Sequence, residues 1–228
     1  MTSEASKPSA ATIIAVQGEA YLEVAPERAL AHLVIDVDGP ERASVQDRAA
    51  EARNRCIAAI RSRHDTTAGP ITEWAAGQLQ VWSQRPWNAD GVQLPLVFHS
   101  RSTIDATFSN LDEVGDVVDT LSATDGVTLT GLEWSVTDLT RQELEGRCQR
   151  DAVQNAVAKA SVFASALGLG EIRPLELSEP SAFGGGGNDG SFSRMLMASS
   201  GGATEFIPEP IRIAVQVDVR FEARPAAS

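Results

Sequence analysis

The stretch that decides the fold reads Ile211-Arg212-Ile213-Ala214-Val215-Gln216-Val217-Asp218-Val219-Arg220-Phe221. Apolar side chains occupy every second position without a break, with polar or small ones between them. Successive side chains of a β-strand point to opposite faces, so this alternation predicts a strand with one face in a hydrophobic core. Such a strand needs a second element with an apolar face of its own.

An alanine-rich helix upstream of the strand is predicted to supply that face. Its apolar positions recur at spacings of four, four, four, four, three and four: Leu144, Cys148, Ala152, Ala156, Ala160, Phe163 and Leu167. This spacing places them on one side of a helix, which Gly168 and Gly170 end. Because alanine side chains are small, we expect the backbone of this helix to lie close to the element that packs on its apolar face.

The rest of the chain predicts six further strands. Alternation predicts strands at residues 12–24 and 29–37, joined as a hairpin by the turn Ala25-Pro26-Glu27. Strands at 71–81 and 94–108 form a longer hairpin around a turn at 86–91, where an Asp-Gly pair favours reversal. A strand at 127–137 changes its apolar phase near Gly131, which predicts a bulge. A short strand at 172–178 adds to these.

Two more helices are predicted between the strands. One places Val45, Ala49, Ala52, Cys56 and Ile60 on a single face. The other, with Ser109 or Asn110 as its N-cap, does the same with Leu111, Val114, Val118 and Leu121. We expect disordered tails at 1–11 and 224–228 and a mobile Gly-rich loop at 181–206. Together the elements predict a mixed α/β fold of the α+β type.

The order of these elements resembles the SIMPL-domain family, and three stretches carry the resemblance. They are an opening strand with a Pro-acidic-x-Ala turn, Ile14-Ala15-Val16-Gln17-Gly18-Glu19-Ala20 and Val24-Ala25-Pro26-Glu27-Arg28-Ala29; spaced alanines from Asp151-Ala152 to Leu167-Gly168-Leu169-Gly170; and a last strand, Ile207 to Phe221. The resemblance implies one domain at 12–223, built of strand-helix-strand units with a mostly antiparallel sheet, a long hairpin and a long Ala-rich helix.

The same resemblance implies properties beyond the fold. Some members of the family form ring-like or channel-like homo-oligomers. Relatives include a periplasmic oxidative-stress defence protein, a periplasmic immunogenic protein and an adaptor in kinase signalling. The resemblance carries no catalytic residue over to this chain, and it suggests a self-assembling or adaptor-like protein with a role related to stress.

Composition argues against several classes of partner. Nineteen basic and thirty-one acidic residues give a net charge of −12, and a surface of that sign repels nucleic acid and anionic lipid while favouring solubility. No stretch approaches the ~20 apolar residues of a membrane-spanning helix. The apolar run at 11–16 is shorter than the core of a signal peptide. We therefore expect a cytoplasmic protein with no nucleic-acid partner and no membrane span.

The residues that usually carry catalysis form no recognisable set. The three histidines, His32, His64 and His99, lie far apart in sequence, and no Gly-x-Ser-x-Gly motif accompanies them. Cys56 and Cys148 form no metal-binding pair and are predicted to be buried free thiols. We therefore predict a protein that is not an enzyme and that holds no cofactor or metal.

The glycines of the Gly-rich segment fit neither a calcium site nor a phosphate loop. Residues 184–189 match six positions of a calcium-binding nonapeptide, but a single copy cannot share an ion between stacked turns. The same glycines are not followed by the Gly-Lys-Ser/Thr that a phosphate loop needs.

Two apolar groups are candidates for an interaction site. One is the tip of the long hairpin, with Trp82, Pro86 and Trp87, whose rings either pack back on the body or project toward another subunit. The other lies in the Gly-rich loop, where apolar residues either fold against a partner or are passive: Phe183, Phe192, Met195, Leu196 and Met197.

These features leave two functions open. The leading hypothesis is a self-assembling or adaptor-like protein, with a homo-oligomer as the expected state and any foreign partner unknown. The alternative is a small-molecule binder or an unrecognised enzyme, with a pocket between the sheet and the long helix where Ala152, Ala156 and Ala160 leave room.

Overall fold

The computed structural model describes residues 11–67, 69–89, 93–180 and 206–225, which form a mixed α+β fold with antiparallel sheets. This confirms the predicted fold class. The strands and helices within these ranges are β1 Thr12–Val24, β2 Arg28–Gly39, α1 Arg42–Arg61, β3 Ile71–Ala76, β4 Gln80–Gln84, β5 Val97–Phe108, α2 Val114–Ser122 after a 3-10 turn at Leu111–Glu113, β6 Val127–Ser135, α3 Asp138–Ala166, β7 Leu169–Ser178 and β8 Ile211–Pro225. Nearly all of the two predicted tails and of the predicted Gly-rich loop lies outside the described residues.

The chain divides into two compact units within the range predicted as one domain. The first unit contains β1, α3, β7 and β8, and the second contains β2 to β6 with α1 and α2. The first unit therefore takes its elements from both ends of the chain, while the helices and strands of the second unit follow one another in sequence.

The second unit is a sheet with its strands in the order β3-β5-β2-β6, and β4 also pairs with β5. Alternate residues of β2 and β5 meet in register, such as Ala31 with Ala106 and Leu33 with Ile104, and these side chains are buried. Helix α1 buries the five residues that the sequence predicts. Asn110 caps the turn before α2, its side-chain oxygen accepting the Asp112 amide at 3.2 Å.

The bulge predicted near Gly131 is confirmed. His32 of β2 pairs with Gly131, but the next residue, Leu33, pairs with Leu129, so Thr130 is an extra residue in β6. The extra residue turns the side chains that follow it to the opposite face of the strand. Leu129 and Leu132, three positions apart, are therefore buried on the same face.

The first unit packs α3 on a three-stranded sheet with the order β1-β8-β7. The alternation of β8 is confirmed, since Ile213, Val217, Val219 and Phe221 are buried. Helix α3 buries Cys148, Ala152, Ala156, Ala160 and Ala164. At Gly18 of β1 the strand lies so close to α3 that a Cβ atom would collide with the Ala152 carbonyl oxygen and come within 2.8 Å of the Ala156 Cβ.

Three predictions about the elements are wrong. Strands β1 and β2 do not form a hairpin, because β1 pairs with β8 whereas β2 pairs with β5 and β6. The strand predicted at 71–81 is two strands, because four steps from Ala76 to Gln80 face only three steps along β5 and the extra residue breaks the ladder. The buried stripe of α3 ends on Ala164, while Phe163 and Leu167 are more than half exposed.

Candidate interaction site

The hairpin of β4 and β5 forms an arm that starts in the core of the second unit. At the inner end of β5, Ile104, Ala106 and Phe108 are fully buried. At its outer end five pairs join it to β4, from Gln80 with Arg101 to Gln84 with Val97. The outer part of β5 from Phe98 to Ser102 also pairs with β2, so the hairpin is anchored in the sheet of the second unit almost to its last pairs.

Trp82 is held on the arm by a ring contact. It lies opposite His99 in the ladder, and the two rings stack with centroids 5.5 Å apart and planes 22° from parallel. The Trp82 residue is 41% exposed even so. One face of the indole is therefore fixed by the protein while the rest of the ring remains accessible.

Trp87 projects from the end of the arm. It is 86% exposed, Pro86 beside it is also exposed, and Leu96 on the returning segment adds a further exposed apolar side chain. The Arg85 guanidinium donates to the Leu94 carbonyl oxygen at 2.7 Å and so ties the two sides of the arm together below the tip. We name the exposed set Trp82, Pro86, Trp87 and Leu96 the aromatic tip.

Among the described residues Trp87 is 86% exposed and Trp82 41% exposed, and the contact of their rings with another subunit stays a prediction. The other candidate group, Phe183, Phe192, Met195, Leu196 and Met197, lies outside the described residues. The contacts described for a candidate interaction site are therefore those of the aromatic tip.

The histidines make contacts typical of structural residues. His32 Nδ1 lies 2.7 Å from Asp105 Oδ1, and its Nε2 lies 3.4 Å from Glu133 Oε1. A histidine that acts as a base for a nucleophile needs one ring nitrogen on a hydroxyl or thiol, whereas both nitrogens of His32 face carboxylates. His64 Nε2 lies 3.2 Å from the Thr72 carbonyl oxygen. Within the described residues no group of three or more His, Cys, Asp or Glu side chains could hold a metal ion.

Both cysteines are buried and unpaired, as the sequence predicts. Burial raises the pKa of the Cys56 thiol, partly offset by a hydrogen bond with Thr124. Burial also raises the pKa of the Cys148 thiol, with the negative charge of Asp151 adding to the effect. The Cys148 Sγ lies 3.5 Å from the Ile213 carbonyl oxygen. Neither thiol has the exposure or the low pKa of a reactive cysteine.

We expect both thiols to resist alkylation in the folded protein. A maleimide or iodoacetamide assay at pH 8 should label them at least about a hundredfold more slowly than in denaturant, because reaction requires local opening. Because burial raises the pKa of each thiol, the folded state holds the thiol proton more tightly than the unfolded state does. The free energy of unfolding should therefore fall as pH rises above 9.0, the ordinary thiol pKa. Rapid labelling of one thiol under native conditions would contradict its burial.

A second surface feature was missed from the sequence. On the side of the first sheet that α3 does not cover, a groove of about 600 Å³ runs between β1 and β8 and is lined by Glu19, Ala20, Tyr21, Arg212, Ala214, Val215 and Gln216. The alternation of each strand identifies most of these as outward-facing residues. Their meeting depends on the pairing of β1 with β8, which the predicted hairpin with β2 obscured.

Among the described residues, the place proposed for a small-molecule pocket between the sheet and α3 is closely packed. Ala152, Ala156 and Ala160 are fully buried against the sheet, and the backbone of β1 touches the helix at Gly18. Small side chains here allow close packing, so the room they leave is filled by the strand itself.

A comparison with known protein families shows which family the chain belongs to. The family model for SIMPL, described as proteins of unknown function (DUF541), matches residues 14–221. The chain belongs to the SIMPL family. The match runs from β1 to β8, so the SIMPL region includes elements of both units. No curated protein matches the chain. Among the helices of the described ranges, none combines the length and the apolar character needed to cross a membrane.

Proposed function

We propose that this SIMPL protein is a non-enzymatic protein that assembles with itself through the aromatic tip. The observation that carries the proposal is the 86% exposure of Trp87 at the end of a firmly anchored arm. Tryptophan is among the residues most enriched at the energetic centres of protein interfaces. An indole left in water forgoes on the order of 2 kcal/mol of burial energy that a partner surface can recover.

The arm has the properties that favour binding at low entropic cost. The ladder between β4 and β5 fixes the backbone, and the stack on His99 fixes the orientation of Trp82. Side chains that are already ordered lose less conformational entropy on association than mobile ones do. The aromatic tip therefore suits a defined contact better than a loose, nonspecific one.

A second copy of the chain is the partner we propose. A homo-oligomer needs no other component, and closed symmetric assemblies are the commonest state of soluble oligomers. The net charge of −12 opposes such an assembly at long range, which makes an uncharged contact such as the aromatic tip the suitable place for it. A cytoplasmic location, an adaptor role and a stress-related role stay predictions, the last resting on the resemblance alone.

The proposal is tested by removing the aromatic tip. We expect the double variant Trp82→Ala/Trp87→Ala to have a smaller solution mass than the parent in size-exclusion chromatography with light scattering. Leu139→Ala is the matched control, because Leu139 is 76% exposed in the other unit and belongs to no proposed contact; it should keep the parental mass. A double variant that folds and retains the mass of the parent would contradict the role of the tip.

A further inference from the structure

The groove between β1 and β8 contains an arginine, Arg212, whose guanidinium contacts an aromatic ring. The Arg212 guanidinium lies over the ring of Tyr21, with its central carbon 4.1 Å from the ring centroid. Among the described residues the Arg212 side chain forms no ion pair and no hydrogen bond beside this ring contact. A guanidinium stacked on an aromatic ring keeps its N–H groups in its own plane, where they can form two parallel hydrogen bonds to one carboxylate.

The stack also orients this arginine. Tyr21 and Arg212 extend from neighbouring strands on the uncovered face of the sheet, and the contact between them restricts an otherwise mobile side chain. A charged group that is already oriented loses less entropy when it binds a ligand. Ala214 adds apolar surface to the groove and Gln216 adds an amide donor, whereas Val215 lines it on a strand position whose side chain packs toward α3.

The charges of the groove limit the kind of anion that fits. Glu19 lies in the lining, and its carboxylate is 3.5 Å from Lys159 Nζ. One arginine and one carboxylate give the lining itself no net positive charge, and the whole protein carries −12. A polyphosphate or a dicarboxylate would be repelled, whereas a single carboxylate can be neutralised by Arg212 alone.

We propose that the groove between β1 and β8 binds a small monocarboxylate with a planar apolar body, Arg212 pairing with the carboxylate and Tyr21 fixing the guanidinium. The apolar body lies along Ala214, which shares the uncovered face of β8 with Arg212. This site belongs to the first unit and is independent of the aromatic tip, so either proposal can fail without the other.

The test compares phenylacetate with phenylacetamide, which have the same ring and differ in charge. Tyr21 is the only tyrosine of the chain, so protein labelled with ¹³C-tyrosine gives NMR ring signals from the site alone. We expect a saturable shift of these signals with phenylacetate at about millimolar concentration, the usual affinity of a fragment that makes one strong contact. Phenylacetamide should cause no saturable shift.

Variants then assign the effect to the guanidinium. Arg212→Gln should weaken phenylacetate binding at least about tenfold, the loss expected for one charged hydrogen-bonded contact. Arg212→Lys keeps the charge but loses the planar fork and should also weaken it. Arg173→Gln, an exposed arginine of β7 outside the groove lining, should bind as the parent does. No saturable shift in the parent, equal shifts with the amide, or unchanged binding by Arg212→Gln would each overturn the proposal.

Discussion

Replacing Gly18 with valine should lower the free energy of unfolding of the first unit by roughly 3 kcal/mol, the upper part of the range for overpacked sites. A Cβ atom at this position collides with the Ala152 carbonyl oxygen, which belongs to the backbone of α3 and cannot move aside as a side chain can. The helix would have to shift away from β1, and the contacts of Ala156 with the strand would be lost. Urea denaturation followed by circular dichroism measures the loss.

The control for this variant is a second glycine of the same unit. Gly146 lies within α3, and a Cβ there would meet only the end of the Arg150 side chain at 3.8 Å. Gly146→Ala should therefore raise the free energy of unfolding by about 0.5–1 kcal/mol, the usual gain from removing a glycine inside a helix. If Gly18→Val were as stable as the parent, the close approach of β1 to α3 would be incorrect.

Phe108→Ala should destabilise the second unit by about 3–5 kcal/mol, the usual cost of removing a buried phenylalanine. Phe108 is fully buried at the end of β5, where it pairs with Ala29 of β2 and Ile71 of β3. Its ring lies in a cluster with buried residues of β2, α1 and α2, so truncation leaves a cavity that a rigid sheet cannot close. Thermal or chemical denaturation should show the change.

The same substitution at an exposed phenylalanine is the matched control. Phe163 is 52% exposed on α3, and Phe163→Ala should cost well under half as much as Phe108→Ala. Equal effects at the two positions would mean that Phe108 does not lie in the core as described. If the two units unfold in separate transitions, Phe108→Ala should shift one and Gly18→Val the other.

Local pattern accounts for the parts of the fold that the sequence predicts well. The face of α1 from Val45 to Ile60 and the buried positions of β8 follow from spacing alone, because periodicity fixes which side chains share a face. The bulge at Thr130 is visible as a change of phase, since a single extra residue moves later side chains to the opposite face.

The pairing of strands is what local pattern cannot supply. The alternation of β1 is the same whether its neighbour is β2 or β8, and the short turn at Ala25-Pro26-Glu27 favours the wrong choice. A long-range pair such as Gln17 Nε2 with Asp218 Oδ1, 3.0 Å apart, leaves no trace in either segment by itself. The correct pairing alone brings Tyr21 and Arg212 together.

The two candidate sites also differ in how far their residues lie apart in the sequence. The aromatic tip could be predicted because Trp82, Pro86 and Trp87 are close in sequence and flank a turn that polar residues usually occupy. Their exposure depends on the loop beyond the β4–β5 ladder extending past the last residue pair between β5 and β2. The groove could not be predicted, because its residues come from segments about 190 positions apart.

The most direct test of self-assembly is the solution mass of the parent protein, measured by size-exclusion chromatography with light scattering over a range of protein and salt concentrations. We predict a mass several times the 24.2 kDa of one chain, and a larger assembled fraction at higher salt, because salt screens the repulsion between subunits of charge −12. A mass of 24.2 kDa under all conditions would contradict self-assembly and leave the aromatic tip to a foreign partner.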